Sequence, residues 1–366
     1  MVGPRVAIAH DYLTQRGGAE RVVLSLLKAF PDAPIYTTLY NPATTFPEFR
    51  DAQVITSGLN RVPLFRNDHR LALPLLAGAA NSLRIDADVV IASSSGWAHG
   101  FPTTGRKIVY CHSPARFLYL TDEYLGPGGV RTLKGRLLRL MRSPLIGWDQ
   151  RAARTAHRYL CNSSVIKQRI EDVYGIAADV IAPPAGVRSS DVQEPVEELE
   201  PWAGGYYLVV SRLLPYKNVR QVIEAFSGLP DRLVVVGRGP LQDELASHLP
   251  ENVQLLGSLS DAQLRWTYAH SRGLIAASFE DFGLTPLEAG AFGKPTLALH
   301  AGGFLDTVED GVNGAFFDVP TPAAIRDAVV LDRHRTWAPQ RITAHADTFS
   351  EERFIQRLQG LVADLI

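Results

Sequence analysis

Short apolar runs of strand length alternate with helical patterns along the chain, and this alternation constrains the fold more than any other feature. The runs cover residues 6–9, 35–38, 54–56, 89–92, 108–111 and 159–161 in the first half, and 206–210, 233–236, 253–256, 274–277 and 296–299 in the second. Strands separated by helices form parallel sheets that carry helices on their faces. The sequence therefore predicts an α/β protein.

The chain is long enough for two such sheets, and an acidic, proline-containing segment separates them. A chain of 366 residues exceeds one ordinary hydrophobic core. Pro183, Pro184 and Pro201 bracket a stretch with few apolar residues. We predict an N-terminal domain over residues 1–185, a C-terminal domain over 186–345 and a terminal helix over 346–366. The apolar side of that helix is marked by Phe354, Leu358, Leu361 and Leu365.

Composition favours a folded, reduced protein. Apolar residues make up 46% of the chain and charged residues 20%, which excludes a disordered class. Cys111 and Cys161 lie inside apolar runs, so we expect buried thiols and no disulfide framework. The sequence shows neither a run of about 18 apolar residues nor a basic-then-apolar leader. We therefore predict neither a membrane span nor a signal peptide, and a cytoplasmic location.

Positive charge is concentrated in the first half. Residues 1–185 contain 22 Lys and Arg against 14 Asp and Glu, a net charge of +8, whereas the remainder has a net charge of −9. Basic residues alternate with leucines after residue 130, at Arg131, Lys134, Arg136, Arg139, Arg142, Arg151, Arg154 and Arg158. This pattern predicts either a solvated helix face or a surface that contacts an anionic membrane. No zinc spacing, helix-turn-helix pattern or aromatic stacking motif accompanies it, so we expect no nucleic-acid partner.

Two carboxylates flank a predicted strand-to-helix turn in the second half. Glu280 follows a buried run, where open α/β sheets bind their ligands. Thr285 is a predicted helix cap, with Pro286 in the first turn and Glu288 three residues after the cap. Glu288 is therefore either the second member of a capping box or a ligand-binding group. The free N–H groups of such a helix start favour an anion such as a diphosphate.

Two cations follow another predicted strand. Arg212 ends the run 206–210, and Lys217 is predicted to open the next helix. Cations at the mouth of a strand-turn-helix suit the charge of a nucleoside diphosphate. A solvated surface turn is the alternative.

The first half contains four further candidate segments at strand ends. His10 and Tyr12 follow the first strand, and Gly17 and Gly18 would let the backbone approach a phosphate or sugar closely. His112 ends the run 108–111, either beside a ligand or held by a backbone carbonyl. In the loop after residues 89–92, Trp97 either stacks on a sugar or packs in a domain interface, and His99 lies beside it.

In this order, these motifs resemble the retaining, nucleotide-sugar-dependent glycosyltransferases of family 4, which have the two-domain GT-B fold. Glu280 and Glu288, with Phe282 and Gly283 between them, resemble that family's E-x7-E signature. The segment 211–218 resembles its donor-diphosphate motif. The segment 110–119 is similar to the mannosyltransferase-like branch that builds exopolysaccharides and O-antigens.

The resemblance implies a role for each candidate residue. Four are expected in catalysis: Glu280, His112, Arg212 and Lys217. The diphosphate would be bound by Arg212, Lys217, Gly17, Gly18, Leu284 and Thr285. The donor sugar would be held by Glu280, Asp281, Phe282 and Gly283, and the ribose by Glu288. The nucleobase is assigned to the strand-end segment Gly257, Ser258 and Leu259. The acceptor side would comprise His10, Tyr12, Trp97, His99 and Arg116.

The resemblance also implies the architecture and the reaction. Two Rossmann-like domains would face each other across a cleft, and the terminal helix would cross back to the first domain. A hexose, with mannose from GDP-mannose as the first expectation and UDP-sugars next, would pass with retention to a glycan or polyprenyl-linked saccharide. No metal or cofactor is expected, because cations and helix N-termini would neutralise the leaving diphosphate. Such an enzyme would be cytoplasmic, and contact with the cytoplasmic face of a membrane would be a further expectation.

Three other classes remain open at this point. A glycosidase or phosphorylase would need its two carboxyls roughly 5 to 9 Å apart and would leave Arg212 and Lys217 without a role. A non-catalytic protein that binds glycans or nucleotide-sugars would share the fold. An epimerase would act on a free UDP-sugar without an acceptor.

Overall fold

The computed structural model describes residues 3–121 and 132–365 and divides the chain into two compact units. Unit 1 comprises residues 1–183 and 351–366, and unit 2 comprises residues 184–350. Each unit contains one parallel sheet, which confirms the prediction of an α/β protein with two Rossmann-like domains. No helix of the described ranges is long and apolar enough to cross a membrane.

The sheet of unit 1 has seven parallel strands in the order β3-β2-β1-β4-β5-β6-β7. The strands are β1 (Val6–His10), β2 (Ile35–Thr37), β3 (Val54–Thr56), β4 (Val89–Ser94), β5 (Arg106–Cys111), β6 (Arg158–Cys161) and β7 (Asp179–Val180). The chain proceeds outward from β1 in one direction and returns to continue outward from β4 in the other. The strand order therefore reverses between β1 and β4, where open sheets bind ligands.

Helices cover this sheet. They are α1 (Gly18–Ala29), α2 (Pro63–Asn67), α3 (Leu73–Ser82), α4 (Arg116–Tyr119), α5 (Leu133–Ala153) and α6 (Ser164–Tyr174). All six residues of β4 are buried, as expected for a strand with helices on both faces. Cys111 and Cys161 are buried free thiols, as predicted.

The sheet of unit 2 has six parallel strands in the order β10-β9-β8-β11-β12-β13. They are β8 (Tyr206–Val210), β9 (Arg232–Val236), β10 (Val253–Leu256), β11 (Ser271–Ala276), β12 (Thr296–Leu299) and β13 (Gly314–Phe317). The helices are α7 (Val219–Phe226), α8 (Gln242–Ala246), α9 (Asp261–Ala269), α10 (Thr285–Ala291), α11 (Phe304–Thr307), α12 (Pro322–Asp332) and α13 (Pro339–Asp347). Here the strand order reverses between β8 and β11.

The terminal helix α14 (Glu351–Ala363) belongs to unit 1 and packs on α1. Glu351 accepts hydrogen bonds from Ser25 and Lys28 at 2.8 and 2.7 Å. Phe354 and Leu358 are buried as predicted. The third buried side chain is Val362, which replaces the predicted Leu361 and Leu365; those two are only partly buried.

Sequence patterns missed two short strands and placed one helix start wrongly. The two-residue β7 and the glycine-initiated β13 lack a long apolar run. Lys217 does not open α7 but ends a single 3₁₀ turn, Pro215–Lys217. Asn218 then takes a left-handed conformation with φ 55°, so the helix begins at Val219.

Candidate functional site

The strand reversal of unit 2 brings together two residues that sequence reasoning had assigned to different parts of a ligand. Lys217 follows β8 and forms a salt bridge with the carboxylate of Glu280, which follows the adjacent strand β11. Ser278 also donates a hydrogen bond to Glu280. The side chains of Lys217 and Glu280 are only 11% and 25% exposed. Asn218 joins the two loops by donating to the carbonyl of Ala277 at 2.8 Å.

A second cation lies on the same loop. Arg212 is exposed, and its Nη2 lies 3.4 Å from the hydroxyl of Tyr216. The ammonium of Lys217 lies 5.0 Å from the centre of the Tyr216 ring. Tyr216 therefore contacts both cations, and the loop presents two positive charges at the end of the sheet where the strand order reverses.

Two glycines after β12 support the backbone of the Glu280 loop. Gly303 donates its N–H to the carbonyl of Glu280 at 2.8 Å, and a Cβ on Gly303 would lie 2.3 Å from the Cα of Phe282. Gly302 has φ +65°, and its Cβ would lie 2.6 Å from the carbonyl oxygen of Glu280. Only glycine fits at these positions. Sequence reasoning missed both residues, although a Gly-Gly pair after a predicted strand was a usable signal.

Glu288 does not form the predicted capping box. Leu284 occupies the cap position of α10 and no side chain caps the helix, so Thr285 lies in the first turn instead. Glu288 Oε2 accepts a 2.8 Å hydrogen bond from the hydroxyl of Tyr268 on α9. Burial, together with the charge of Glu288, raises the pKa of Tyr268 well above its usual value. Tyr268 therefore stays protonated and holds this carboxylate in place.

Glu280 and Glu288 thus have different partners. The first is bound by Lys217 and Ser278, and the second by Tyr268. An acid pair that flanks one glycosidic bond would leave Lys217 and Arg212 without a function, whereas here Lys217 pairs with one of the two carboxylates. This arrangement supports a site for a ligand that carries negative charge.

The remaining predicted residues of unit 2 lie at the same end of the sheet. Asp281, Phe282 and Gly283 continue the Glu280 loop, and Phe282 is buried. The segment 257–259 follows β10, two strands from β8 and hence about 10 Å away along the sheet. Within it, Leu259 packs on the core and a Cβ on Gly257 would lie 3.4 Å from Arg238 Nε.

In unit 1 a chain of buried polar groups crosses the point where the strand order reverses. His10 ends β1, and its Nδ1 lies 3.1 Å from both the carbonyl oxygen and the Oγ of Ser93 on β4. Ser93 Oγ lies 2.8 Å from Nε2 of His112, which follows β5. On the other side of His10, Nε2 lies 3.9 Å from Oε1 of Glu20 on α1. His10, Ser93 and Glu20 are buried, whereas His112 is half-buried.

The titratable groups along this chain differ in which form their surroundings favour. Burial alone would lower the pKa of His10, but the hydrogen bond and charge of Glu20 outweigh burial and raise it. Burial would likewise raise the pKa of Glu20, and His10 holds it below its usual value. Burial and the nearby His10 lower the pKa of His112 to about 3. His10 and Glu20 therefore stabilise each other's charged forms, and His112 is neutral near pH 7.

The structure explains why position 17 is a glycine in a way that the sequence did not indicate. A Cβ at this position would lie 2.6 Å from Oε2 of Glu20. Gly17 is the residue before α1, and Gly18 begins the helix. The absence of a side chain at Gly17 makes room for a buried carboxylate, whatever else approaches this loop.

Asp11 organises the loop after β4 and was also missed. Its carboxylate accepts hydrogen bonds from the backbone N–H groups of Ser95, Trp97 and Ala98 at 2.5, 2.9 and 2.6 Å. An acidic residue directly after a strand was the available signal.

Two predicted acceptor contacts are corrected by burial. Trp97 stacks on Phe117 with ring centres 5.2 Å apart inside the core of unit 1. His99 is buried and lies 3.0 Å from Asp149. Neither side chain exposes a surface on which a sugar could stack, so both have structural roles. Neither alternative for Trp97, stacking on a sugar or packing in a domain interface, is what the structure shows, because its ring packs in the core of unit 1.

His10, also predicted on the acceptor side, is buried between Glu20 and Ser93 and is corrected for the same reason. Tyr12 and Arg116 remain predicted acceptor contacts. Tyr12 is half-buried and stacks on His69 with ring centres 4.0 Å apart. Arg116 begins α4 and is exposed.

The basic segment forms much of α5. Arg131 and the side chain of Lys134 lie outside the described residues. Leu138 and Leu145 are buried, whereas Leu137 and Leu140 are 48% and 78% exposed and directly follow the exposed Arg136 and Arg139. The helix therefore has an inner apolar side and an outer face of arginines and leucines.

No group of three or more His, Cys, Asp or Glu side chains suited to a metal occurs within residues 3–121 and 132–365.

Comparison with known proteins identifies both halves of the chain. Residues 16–187 match the family described as Glycosyltransferase Family 4, and residues 196–331 match Glycosyl transferases group 1. Alpha-1,3/1,6-mannosyltransferase ALG2 from Homo sapiens is 27% identical over 419 residues, which cover 99% of this chain and 96% of that protein. Glycogen synthase from Pseudomonas aeruginosa is 36% identical over 141 residues, which cover 36% of this chain and 28% of that protein.

A solved structure shares the fold over almost the whole length. The crystal structure of Anabaena HepE in complex with UDP matches with a TM-score of 0.71 at 19% identity, covering 99% of this chain and all of that one. The structural match shows the fold, and the two family matches show the glycosyltransferase class. The chain is a glycosyltransferase of the GT-B type, with a family 4-like domain followed by a group 1 domain.

Proposed function

We propose that this protein transfers a hexose, with retention of configuration, from a nucleotide-sugar to a glycan or lipid-linked saccharide. The observation that carries the proposal is the contact between Lys217 and Glu280 at the strand reversal of unit 2. A cation for phosphate and a carboxylate for sugar hydroxyls lie side by side there. A nucleotide-sugar needs both, because its diphosphate leaves directly from the sugar carbon that reacts.

Each part of the donor has a candidate partner in unit 2. Lys217 and the exposed Arg212 would bind the diphosphate, and the N–H groups of Leu284 and Thr285 would assist. Glu280 and the backbone of residues 281–283 would hold sugar hydroxyls. Glu288, held by Tyr268, would accept from the ribose diol. The segment 257–259 would contact the base.

This assignment requires neither a metal nor a cofactor. The charge of the leaving diphosphate would be neutralised by two cations, so a divalent ion is not needed for that task. The test is transfer activity in the presence of excess EDTA, with loss of activity as the contrary result.

GDP-mannose is the first donor we propose, and a UDP-sugar is the alternative. ALG2, which matches almost the full length, is named a mannosyltransferase. HepE, which is 19% identical in sequence, has been crystallised with UDP and with UDP-glucose. A UDP-sugar is therefore the second donor we propose. A protein of this fold that binds the nucleotide-sugar without transferring it is the non-catalytic alternative.

We also propose a cytoplasmic location with peripheral membrane contact through α5. Leu137 and Leu140 would insert between lipids while Arg136 and Arg139 meet anionic headgroups. The test is co-sedimentation with phosphatidylcholine vesicles, with and without phosphatidylglycerol. Leu140→Ser should weaken binding to the anionic vesicles. Leu331→Ser changes a similarly exposed leucine on α12 and should not; equal binding by all three proteins would contradict the proposal.

The donor is identified by measuring thermal stability with GDP, UDP, dTDP and ADP and with their sugar conjugates. A ligand at a hundred times its dissociation constant stabilises the folded state by about 2.7 kcal/mol. One base should stabilise the native protein. That effect should be lost in Lys217→Ala and kept in Arg220→Ala, because Arg220 is a nearby exposed cation paired with Glu244.

Transfer is then measured with the stabilising nucleotide-sugar and a set of saccharide acceptors. Sugar transfer that disappears in Glu280→Gln supports the proposal. Binding without transfer or donor hydrolysis would favour the non-catalytic alternative. No response to any nucleotide would contradict the proposal as a whole.

A further inference from the structure

We infer that Glu20, His10 and Ser93 are positioning residues that hold His112 in one tautomer, with its proton on Nδ1, so that His112 presents a hydrogen-bond donor to its ligand. The inference rests on the proposed function only in the nature of that ligand, a sugar oxygen. The tautomer itself follows from the contacts of unit 1.

The backbone carbonyl of Ser93 determines which nitrogen of His10 carries a proton. That oxygen can only accept, and it lies 3.1 Å from Nδ1 of His10. Nδ1 of His10 must therefore carry a proton in either charge state of the ring. The carboxylate of Glu20 lies on the Nε2 side and stabilises a second proton there.

The hydroxyl of Ser93 lies between the two histidine rings. Its oxygen has two neighbours in the described residues, Nδ1 of His10 at 3.1 Å and Nε2 of His112 at 2.8 Å. Since Nδ1 of His10 is a donor, the hydroxyl proton can go only to Nε2 of His112. Ser93 is fully buried, and a buried hydroxyl proton without an acceptor costs about 1–3 kcal/mol. His112 Nε2 is therefore the acceptor and carries no proton.

A neutral histidine without a proton on Nε2 has its proton on Nδ1. The low pKa of His112 agrees, because the ring stays neutral throughout the physiological range. His112 is thus suited to donate to a sugar oxygen and unsuited to act as a base through Nδ1. The contacts that set these proton positions connect Glu20 on α1, His10 on β1 and Ser93 on β4 with the residue after β5.

The chain also explains why Glu20 is buried beside a glycine. Oε2 of Glu20 has no hydrogen-bond partner among the described residues, and a Cβ on Gly17 would lie 2.6 Å from it. Pairing with His10 stabilises the ionised carboxylate, because an unpaired charge at a buried position would cost far more free energy.

The test is nitrogen NMR of the full chain labelled with 15N-histidine, with His112 assigned by its loss in His112→Asn. Native His112 should show an unprotonated Nε2 and a protonated Nδ1 between pH 6 and 8. A protonated Nε2, or a doubly protonated ring, would overturn the inference. The tautomer is read from the native protein, and His112→Asn serves only to assign the signal among the ten histidines.

Variants then test the role of Ser93. Ser93→Ala should release His112 into a mixture of tautomers. Ser113→Ala is the matched control. Ser113 directly follows His112, is also buried, and accepts a hydrogen bond from Arg169 instead of contacting the His112 ring. An unchanged tautomer in Ser93→Ala, or an equal change in both variants, would also overturn the inference.

Ligand binding separates this inference from the proposed function. Ser93→Ala should weaken the nucleotide-sugar about fivefold and leave the free nucleoside diphosphate unchanged, since one neutral hydrogen bond is lost. Equal weakening of both ligands would show that the tautomer does not serve the sugar. If no nucleotide binds, the proposed function fails while the NMR result still stands.

Discussion

Replacing Glu280 with glutamine should tighten the binding of a free nucleoside diphosphate. In the ligand-free protein Lys217 is paired with Glu280, so a phosphate must compete for the ammonium. Glu280→Gln keeps the shape of the side chain and removes its charge. The variant should therefore bind the diphosphate more strongly while losing sugar transfer.

The size of the gain follows from the exposure of the pair. Fully exposed ion pairs contribute about 0.2–1 kcal/mol, and a pair 4 Å apart near a protein surface has a Coulomb energy of about 4 kcal/mol before desolvation. With side chains 11% and 25% exposed, Lys217 and Glu280 lie between these limits. A competition of about 1 kcal/mol corresponds to roughly fivefold tighter binding. Lys217→Met should weaken binding by about 1.5–3 kcal/mol, the value of a hydrogen bond to a charged group.

The assay is isothermal titration calorimetry with the free diphosphate at one fixed ionic strength, because salt screens these charges. Asp281→Asn is the matched control, since it removes the same charge from the next residue. The reasoning is refuted if Glu280→Gln binds no more tightly than the native protein, or if Asp281→Asn gains as much. In the double variant Lys217→Met with Glu280→Gln, the gain should vanish.

Three other results are expected. Gly303→Ala should destabilise the protein by about 1–3 kcal/mol and abolish donor binding, because its Cβ would lie 2.3 Å from Phe282, whereas Gly58→Ala meets open space; equal urea midpoints would contradict this. His112→Gln should flatten the fall in stability between pH 6 and 4. Below pH 6.5 the unfolded chain takes up a proton that folded His112, with its pKa near 3, does not, which costs up to about 1.4 kcal/mol per pH unit; parallel urea-unfolding profiles would argue against it. Gly360→Ala should raise the melting temperature, since Gly360 lies within α14 in open space and alanine there gains about 0.5–1 kcal/mol.

Local patterns were sufficient to predict most strands but not the contacts among side chains. Tyr206–Val210 and Val253–Leu256 begin and end where their apolar runs do. The capping box at Glu288 is absent because Leu284 and not Thr285 occupies the cap position, and the carboxylate accepts a hydrogen bond from Tyr268, twenty residues earlier. A local motif describes what a side chain can reach within one turn, and it carries no information about a partner on another helix.

Burial was the other quantity that sequence did not supply. Trp97 and His99 follow a predicted strand at its ligand-binding end, as do His10 and His112. The carboxylate of Asp11 turns the chain inward after β4, which places both side chains in the core. The direction of a loop depends on backbone donors and acceptors whose pairing is set by the tertiary structure.

One general rule would have predicted both central contacts. In each unit the strand order reverses between the first strand and the fourth, β1 with β4 and β8 with β11. The loops after those two strands must then be neighbours, although His10 and Ser93 are 83 residues apart and Lys217 and Glu280 are 63 apart. Counting predicted strands from the start of each domain, and pairing the loops that follow the first and fourth, places the members of both pairs in neighbouring loops without a structure. The contacts at the two sites are therefore a consequence of strand order, and the sequence supplies the chemistry that this order brings together.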